Sequence, residues 1–196
     1  MKPVRAADLG ALVSAVRLHA SPAPSSDRVR AGPPRLFLVA GTSHLAEGWR
    51  DSVARLVLAG DPGLEAAVRQ AGAGLRLDLI WESPADVIPI PAGSDHRARP
   101  VSAAMSGTGG PLEVLHFDPY SVVLRLVARG DEQDYVDSLA YMRRGWVQQE
   151  ELEAMLDQVL PRFTNETLAQ DPAEFRRKFR GLRQLHASEV AHRHFA

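Results

Sequence analysis

A few groups of side chains in this 196-residue chain have types and spacings that suit chemistry on a charged ligand. Gly41-Thr42-Ser43 closes a short apolar run and opens an amphipathic stretch, so its backbone N–H groups suit an anion. Arg50 and Arg55 add positive charge nearby. Asp134 and Asp137 lie one helical turn apart on one face. A site role for them competes with a structural one, capping or pairing with Arg129 and Arg143. His186, His192 and His194 gather near the C-terminus without the spacing of a metal pair backed by a carboxylate, which fits a frayed terminal helix better. Arg176, Arg177, Lys178, Arg180 and Arg183 form a basic run with little aromatic interleaving, because Phe175 and Phe179 are four apart and face inward. That run reads first as a solvated helix face and second as an RNA contact. Trp49, Trp81 and Trp146 suit core or interface anchors better than base-stacking platforms.

The elements that must position these groups are legible in the hydrophobic pattern. Ala6–His19 carries Leu9, Leu12, Val13 and Val16 at helical spacing, with Asp8 as its cap. Residues 20–34 are rich in Pro, Ser and Gly and read as a linker. Arg35–Val39 reads as a buried strand and Leu56–Leu58 as another, with about a dozen amphipathic residues between them. A helix over Gly63–Ala71 is expected, capped by Asp61 with Pro62 at its first position. Leu75, Leu77 and Leu79 alternate with Arg76, Asp78 and Ile80, which predicts a strand over Leu75–Glu82. Ser83–Arg99 should be an irregular excursion braced by prolines, and Val101–Pro111 a loop. A strand follows at Leu112–Phe117, then helices at Pro119–Ala128, Glu132–Arg143 and Gln149–Leu160. After a break at Pro161–Thr167, Asp171, Pro172 and Glu174 signal a last helix.

Composition narrows the class. Apolar residues make up 45% and charged residues 24%, ordinary for a globular chain. A net charge of −1 gives no global attraction to nucleic acid. The absence of cysteine excludes disulfides and thiolate metal sites. No apolar stretch approaches the roughly 20 residues of a membrane span, and the N-terminus lacks a signal-peptide order. A cytoplasmic protein with no membrane partner is expected.

The order of strand, glycine turn, helix and strand across Arg35–Leu58 resembles the opening of the polymerase-beta-like nucleotidyltransferases, and within them the bacterial branch that includes the AbiEii and MenT toxins. Ser83–Arg97 (SPADVIPIPAGSDHR) is similar to that family's Ser-Pro-Ala-Asp-Phe-Ile-Pro linker. His116–Met142 resembles its Asp-Pro-Tyr helix pair, and Asp171–Phe179 its closing helix. The resemblance covers roughly residues 35–180. It implies an α/β fold: a small mixed sheet of a nucleotidyltransferase-like core with a helical C-terminal half. It divides the chain into a helix and linker at 1–34, the core at 35–118 and a helical region at 119–196.

In that family two aspartates in an Asp-x-Asp strand bind magnesium, since positions two apart on a strand face one side. Here those positions hold Arg55 and Val57. A guanidinium cannot bind magnesium and valine offers no ligand, so no metal site is expected. The resemblance places a third carboxylate at Asp78, against a plain reading as a polar residue on a half-exposed strand. The family's phosphate-neutralising lysine falls on Leu126; Arg125, one residue away, reads mainly as a solvated surface arginine. Arg129 matches the family directly, as do Asp134 and Asp137. The nucleotide-binding set implied is Gly41, Thr42, Ser43, Arg50, Arg125 and Arg129, with Asp78, Asp134 and Asp137 as weak catalytic candidates. The leading expectation is a catalytically degenerate toxin–antitoxin-type protein that binds a nucleotide, an RNA or a protein and needs no cofactor. One alternative is a magnesium-dependent transferase using an unorthodox site. Another is an interaction module that docks to an antitoxin or an active paralogue. Oligomeric state is not legible.

Overall fold

The computed structural model describes residues 2–19, 32–82, 89–102, 112–163 and 171–194. The fold is mixed α/β, as expected, and the chain divides into two compact units: Met1–Glu82 with Ala98–Phe117, and Ser83–Arg97 with Asp118–Ala196. The N-terminal helix therefore belongs with the sheet, and the segment ending at Arg97 belongs with the C-terminal helices.

The first unit is built on five short strands: β1 (Arg35–Leu38), β2 (Leu56–Gly60), β3 (Leu79–Trp81), β4 (Arg99–Pro100) and β5 (Glu113–His116), in the order β3-β2-β1-β5-β4. β1 runs antiparallel to β2, with Leu38 opposite Leu58, and parallel to β5, with Leu38 opposite His116. β2 and β3 are parallel, and β4 and β5 antiparallel. As the central strand, β1 buries successive residues, which is why its sequence is a continuous apolar run rather than an alternating one. Leu36 and Leu38 join a core with Leu56, Leu58 and Val114. Phe37, pointing to the other face, meets Phe117 edge-on at 5.6 Å between ring centroids.

Helix α1 (Ala6–His19) adds Leu9, Leu12, Val13 and Val16 to the same core. Asp8 is not its cap. It sits in the first turn, where its Oδ2 accepts the Arg5 N–H at 2.9 Å. Helix α3 (Leu64–Leu75), which follows the short α2 (Gly41–Ala46), runs four residues further than the pattern suggested. Its N-cap is Gly63 in the left-handed region, while Asp61 accepts the Arg35 N–H at 2.9 Å and so secures the start of β1. Arg76, at φ 56°, ends the helix, leaving only Leu79–Trp81 as strand. A Cβ on Gly72 would run into the Leu79 side chain, so glycine lets α3 lie close against β3 without displacing that leucine.

The second unit holds α4 (Ser94–Arg97), α5 (Pro119–Arg129), α6 (Glu132–Arg143), α7 (Gln149–Val159), a 3₁₀ turn (Leu160–Arg162) and α8 (Pro172–His194). α5 is buried from Pro119 to Ala128 and packs against α6, α7 and α8. A helix apolar on nearly every side belongs in an interior. Asp118 caps its start by accepting the Tyr120 N–H, and Gly130, at φ 76°, ends it. Lys178, from α8, donates to the last carbonyls of α5, Ala128 at 2.7 Å and Arg129 at 3.0 Å, placing a positive charge at the negative end of that helix. Asp171 caps α8 as expected, accepting the Ala173 N–H at 2.8 Å. The expected linker over residues 20–34 and the loop over Val101–Pro111 lie largely outside the described residues. Among the described residues no helix is long and apolar enough to cross a membrane.

Candidate functional site

The glycine turn sits where β1 passes into α2. Thr42 N donates to Val39 O at 3.1 Å, closing a four-residue turn with Ala40 and Gly41 at its centre. Ala40 has φ 49° and ψ −122°, the first central position of a type II′ turn, which glycine normally fills. An alanine there holds a strained backbone. The glycine readable in the sequence, Gly41, stands one place later.

Thr42 and Ser43 are both fully buried, and their hydroxyls are committed to the sheet. Thr42 Oγ1 accepts the Val57 N–H at 2.7 Å, and Ser43 Oγ donates to Leu38 O at 2.9 Å. These side chains therefore tie the turn to β2 and β1. A third tether was not legible in the sequence. Glu47, which ends α2, meets His116 at the end of β5, with Oε1 2.9 Å from Nε2. His116 is completely buried. Burial is the main cause that lowers its proton affinity below the ordinary histidine value; Glu47 opposes this and Arg99 adds to it. The neutral ring donates to the Glu47 carboxylate. His44, also buried, lies against Trp49 at 5.1 Å between ring centroids, and Arg50 follows half-buried.

Arg55 and Val57, at the start of β2, are placed by the strand register. Leu56 is opposite Leu79 in the β2–β3 register, which sets Arg55 beside Asp78. Arg55 Nε lies 3.5 Å from Asp78 Oδ2, both side chains remaining partly exposed. Val57 is half-buried opposite Ile80. Magnesium requires oxygen ligands at about 2.0–2.1 Å in octahedral array. One carboxylate, already facing a guanidinium, with a valine as its neighbour, does not fit that demand. Among the described residues no three His, Asp or Glu side chains come together to hold a metal ion.

The remaining sequence-predicted residues belong to the second unit. Arg125 is 6% exposed and so is not the solvated surface arginine expected; its neighbours Val122, Val123, Leu124 and Leu126 take the whole helix into the interior. Arg129 pairs with Asp134, Nη2 to Oδ1 at 2.7 Å. Asp134 Oδ2 also accepts the Asp131 N–H at 3.3 Å, forming a reciprocal cap at the start of α6. Asp137 Oδ1 accepts from Gln133 Nε2 at 2.9 Å. Arg143 reaches Glu189, at 3.6 Å, rather than either aspartate. Asp134 and Asp137 are thus buried acids inside a helix cap and a side-chain pair.

The same unit contains a polar clasp whose members were visible in the sequence but whose pairing was not. Asp118, fully buried, accepts from Arg97 Nε at 3.0 Å and Nη2 at 2.6 Å, and from Ser121 Oγ at 2.7 Å. Arg97 also lies 6.0 Å from the Tyr120 ring centroid. Tyr120 donates its hydroxyl hydrogen to Glu151 and accepts the Gln148 N–H at 3.2 Å. Burial first, then this bond to Glu151, raise the Tyr120 pKa and keep the phenol protonated. Comparison with family models, curated proteins and solved structures finds no match for this chain.

Proposed function

We propose that this protein is a nucleotidyltransferase-like member of the toxin–antitoxin type in which metal-dependent transfer has been lost, and that it acts by binding a nucleotide, an RNA or a protein partner. The reading rests on the resemblance across residues 35–180 together with one observation. Arg55 stands 3.5 Å from Asp78, in the place where the resemblance calls for the first of two aspartates. A fixed positive charge there offsets the one remaining carboxylate. Two-metal transfer needs acids that converge so that the ions can stabilise both the attacking and the leaving oxygen. An arginine and a valine supply neither ligand nor proton acceptor.

The turn argues against turnover for a second reason. The hydroxyls of Thr42 and Ser43 are buried and engaged with the sheet, so neither stands free as a nucleophile. The test is incubation with α-labelled nucleoside triphosphates, magnesium or manganese, and total RNA. No label transfer to RNA or to the protein is expected. Transfer that disappears in Asp78→Ala would defeat the proposal.

A further inference from the structure

The second unit carries a concave basic surface that belongs neither to the turn nor to the Arg55–Asp78 pair. Arg176, Arg180 and Arg183 recur along α8 at i, i+4 and i+7 and so share one stripe. Where α8 passes the start of α7, Gln149, Arg180, Arg183, Gln184 and Ala187 line a concavity of about 350 Å³. That volume falls within the range of small-ligand sites, about 300–1,000 Å³. Among the described residues, two guanidinium groups and two amides line it, and no carboxylate does.

The two arginines are held differently. Arg180 makes no hydrogen bond or ion pair among the described residues. Arg183 is oriented through Nε by Glu153 Oε1 at 3.0 Å, which leaves its terminal nitrogens toward other partners. Glu153 is steadied in turn by Gln149 Nε2 at 3.1 Å, and Gln149 Oε1 lies 3.1 Å from His186 Nδ1. A chain of side chains thus fixes one arginine while its neighbour on the stripe stays open. A guanidinium fork matches the paired oxygens of a phosphate group, and pre-orientation reduces the ordering cost of binding.

We propose that Arg180 and Arg183 form a phosphate-binding site on α8, taking either a free phosphate or the phosphodiester backbone of a nucleic acid. This inference is independent of whether the family's transfer chemistry survives. Glu153 limits affinity by its own charge, so its removal has a direction that a merely structural role would not give.

The test follows a fluorescently labelled single-stranded RNA by anisotropy with the full-length chain, competed by inorganic phosphate and by pyrophosphate. Arg180→Gln should weaken binding about tenfold, the effect of losing one charge-assisted contact of about 1.4 kcal/mol. It should also lower the salt dependence by about 0.7 in slope. Glu153→Gln should tighten binding, and Arg69→Gln, in the first unit, should leave it unchanged. RNA binding resistant to millimolar phosphate identifies a backbone site; displacement by phosphate identifies a free-phosphate site. Failure of both ligands to bind, or equal weakening by Arg69→Gln and Arg180→Gln, overturns the proposal.

Discussion

Arg55–Asp78 in the sheet unit and Arg97–Asp118 in the helical unit join the same two residue types, yet the surroundings give them opposite weight. Arg55 and Asp78 meet at 3.5 Å through one edge, on adjacent strands and open to water. Arg97 grips a fully buried Asp118 with two nitrogens, and Ser121 and the Tyr120 backbone complete the shell. The first pair is easily exchanged with solvent; the second is a closed polar centre around which α4 and α5 are assembled. A charge pair whose geometry is loose adds little to a fold. A closed one organises a fold.

Removing the buried member should have the largest effect. Asp118→Ala strands the Arg97 guanidinium and uncaps α5, and should cost about 3–5 kcal/mol, read as a lowered midpoint in urea unfolding followed by helical circular dichroism. A midpoint unchanged within error would mean that the clasp contributes nothing. The next largest effect follows from acid. His116 binds its proton less readily when folded, chiefly because it is buried, so the unfolded chain takes up the proton first. Stability should be level above about pH 6.5 and fall below it, by at most about 1.4 kcal/mol per pH unit for one proton. His116→Gln should flatten that part of the curve; an identical pH profile in the variant would refute the assignment.

Smaller effects separate the turn from the pair beside it. Ala40→Gly should stabilise the protein by about 1 kcal/mol, because glycine adopts the turn without strain. A loss of stability would mean that the alanine methyl packs usefully enough to outweigh its backbone. Arg55→Ala should change stability by less than about 0.5 kcal/mol, as expected of an exposed pair. A larger loss would move this pair into the class of the Arg97–Asp118 clasp and erase the contrast between them.

How much of this was legible depends on the range of each signal. α1 and α6 begin and end where the sequence places them, because apolar spacing lies within the helix itself. The helices of the C-terminal half follow from the same local patterns, whereas the mixed sheet was an expectation of the resemblance, because strand pairing is not a local property. The α3–β3 boundary shifted because Leu75, Leu77 and Leu79 alternate by chance across a helix end, a turn and a strand start. Arg125 was misplaced because a charge in isolation reads as solvated, while the apolar residues flanking it decide its burial. Glu47 and His116 are 69 residues apart, and only the pairing of β1 with β5 brings them together. At the candidate site, the identities of Arg55 and Val57 could be read directly. That Arg55 would face Asp78 required the β2–β3 register.

The Lys178 ammonium, docked on the final carbonyls of α5, has a practical corollary. The chain has two lysines, Lys2 and Lys178. Amine-directed reagents applied to the native protein should therefore react at Lys2 and the terminal amine and spare Lys178 until α8 lifts away. Its acylation rate becomes a chemical clock for the opening of the helical unit, readable by peptide mass without any engineered probe.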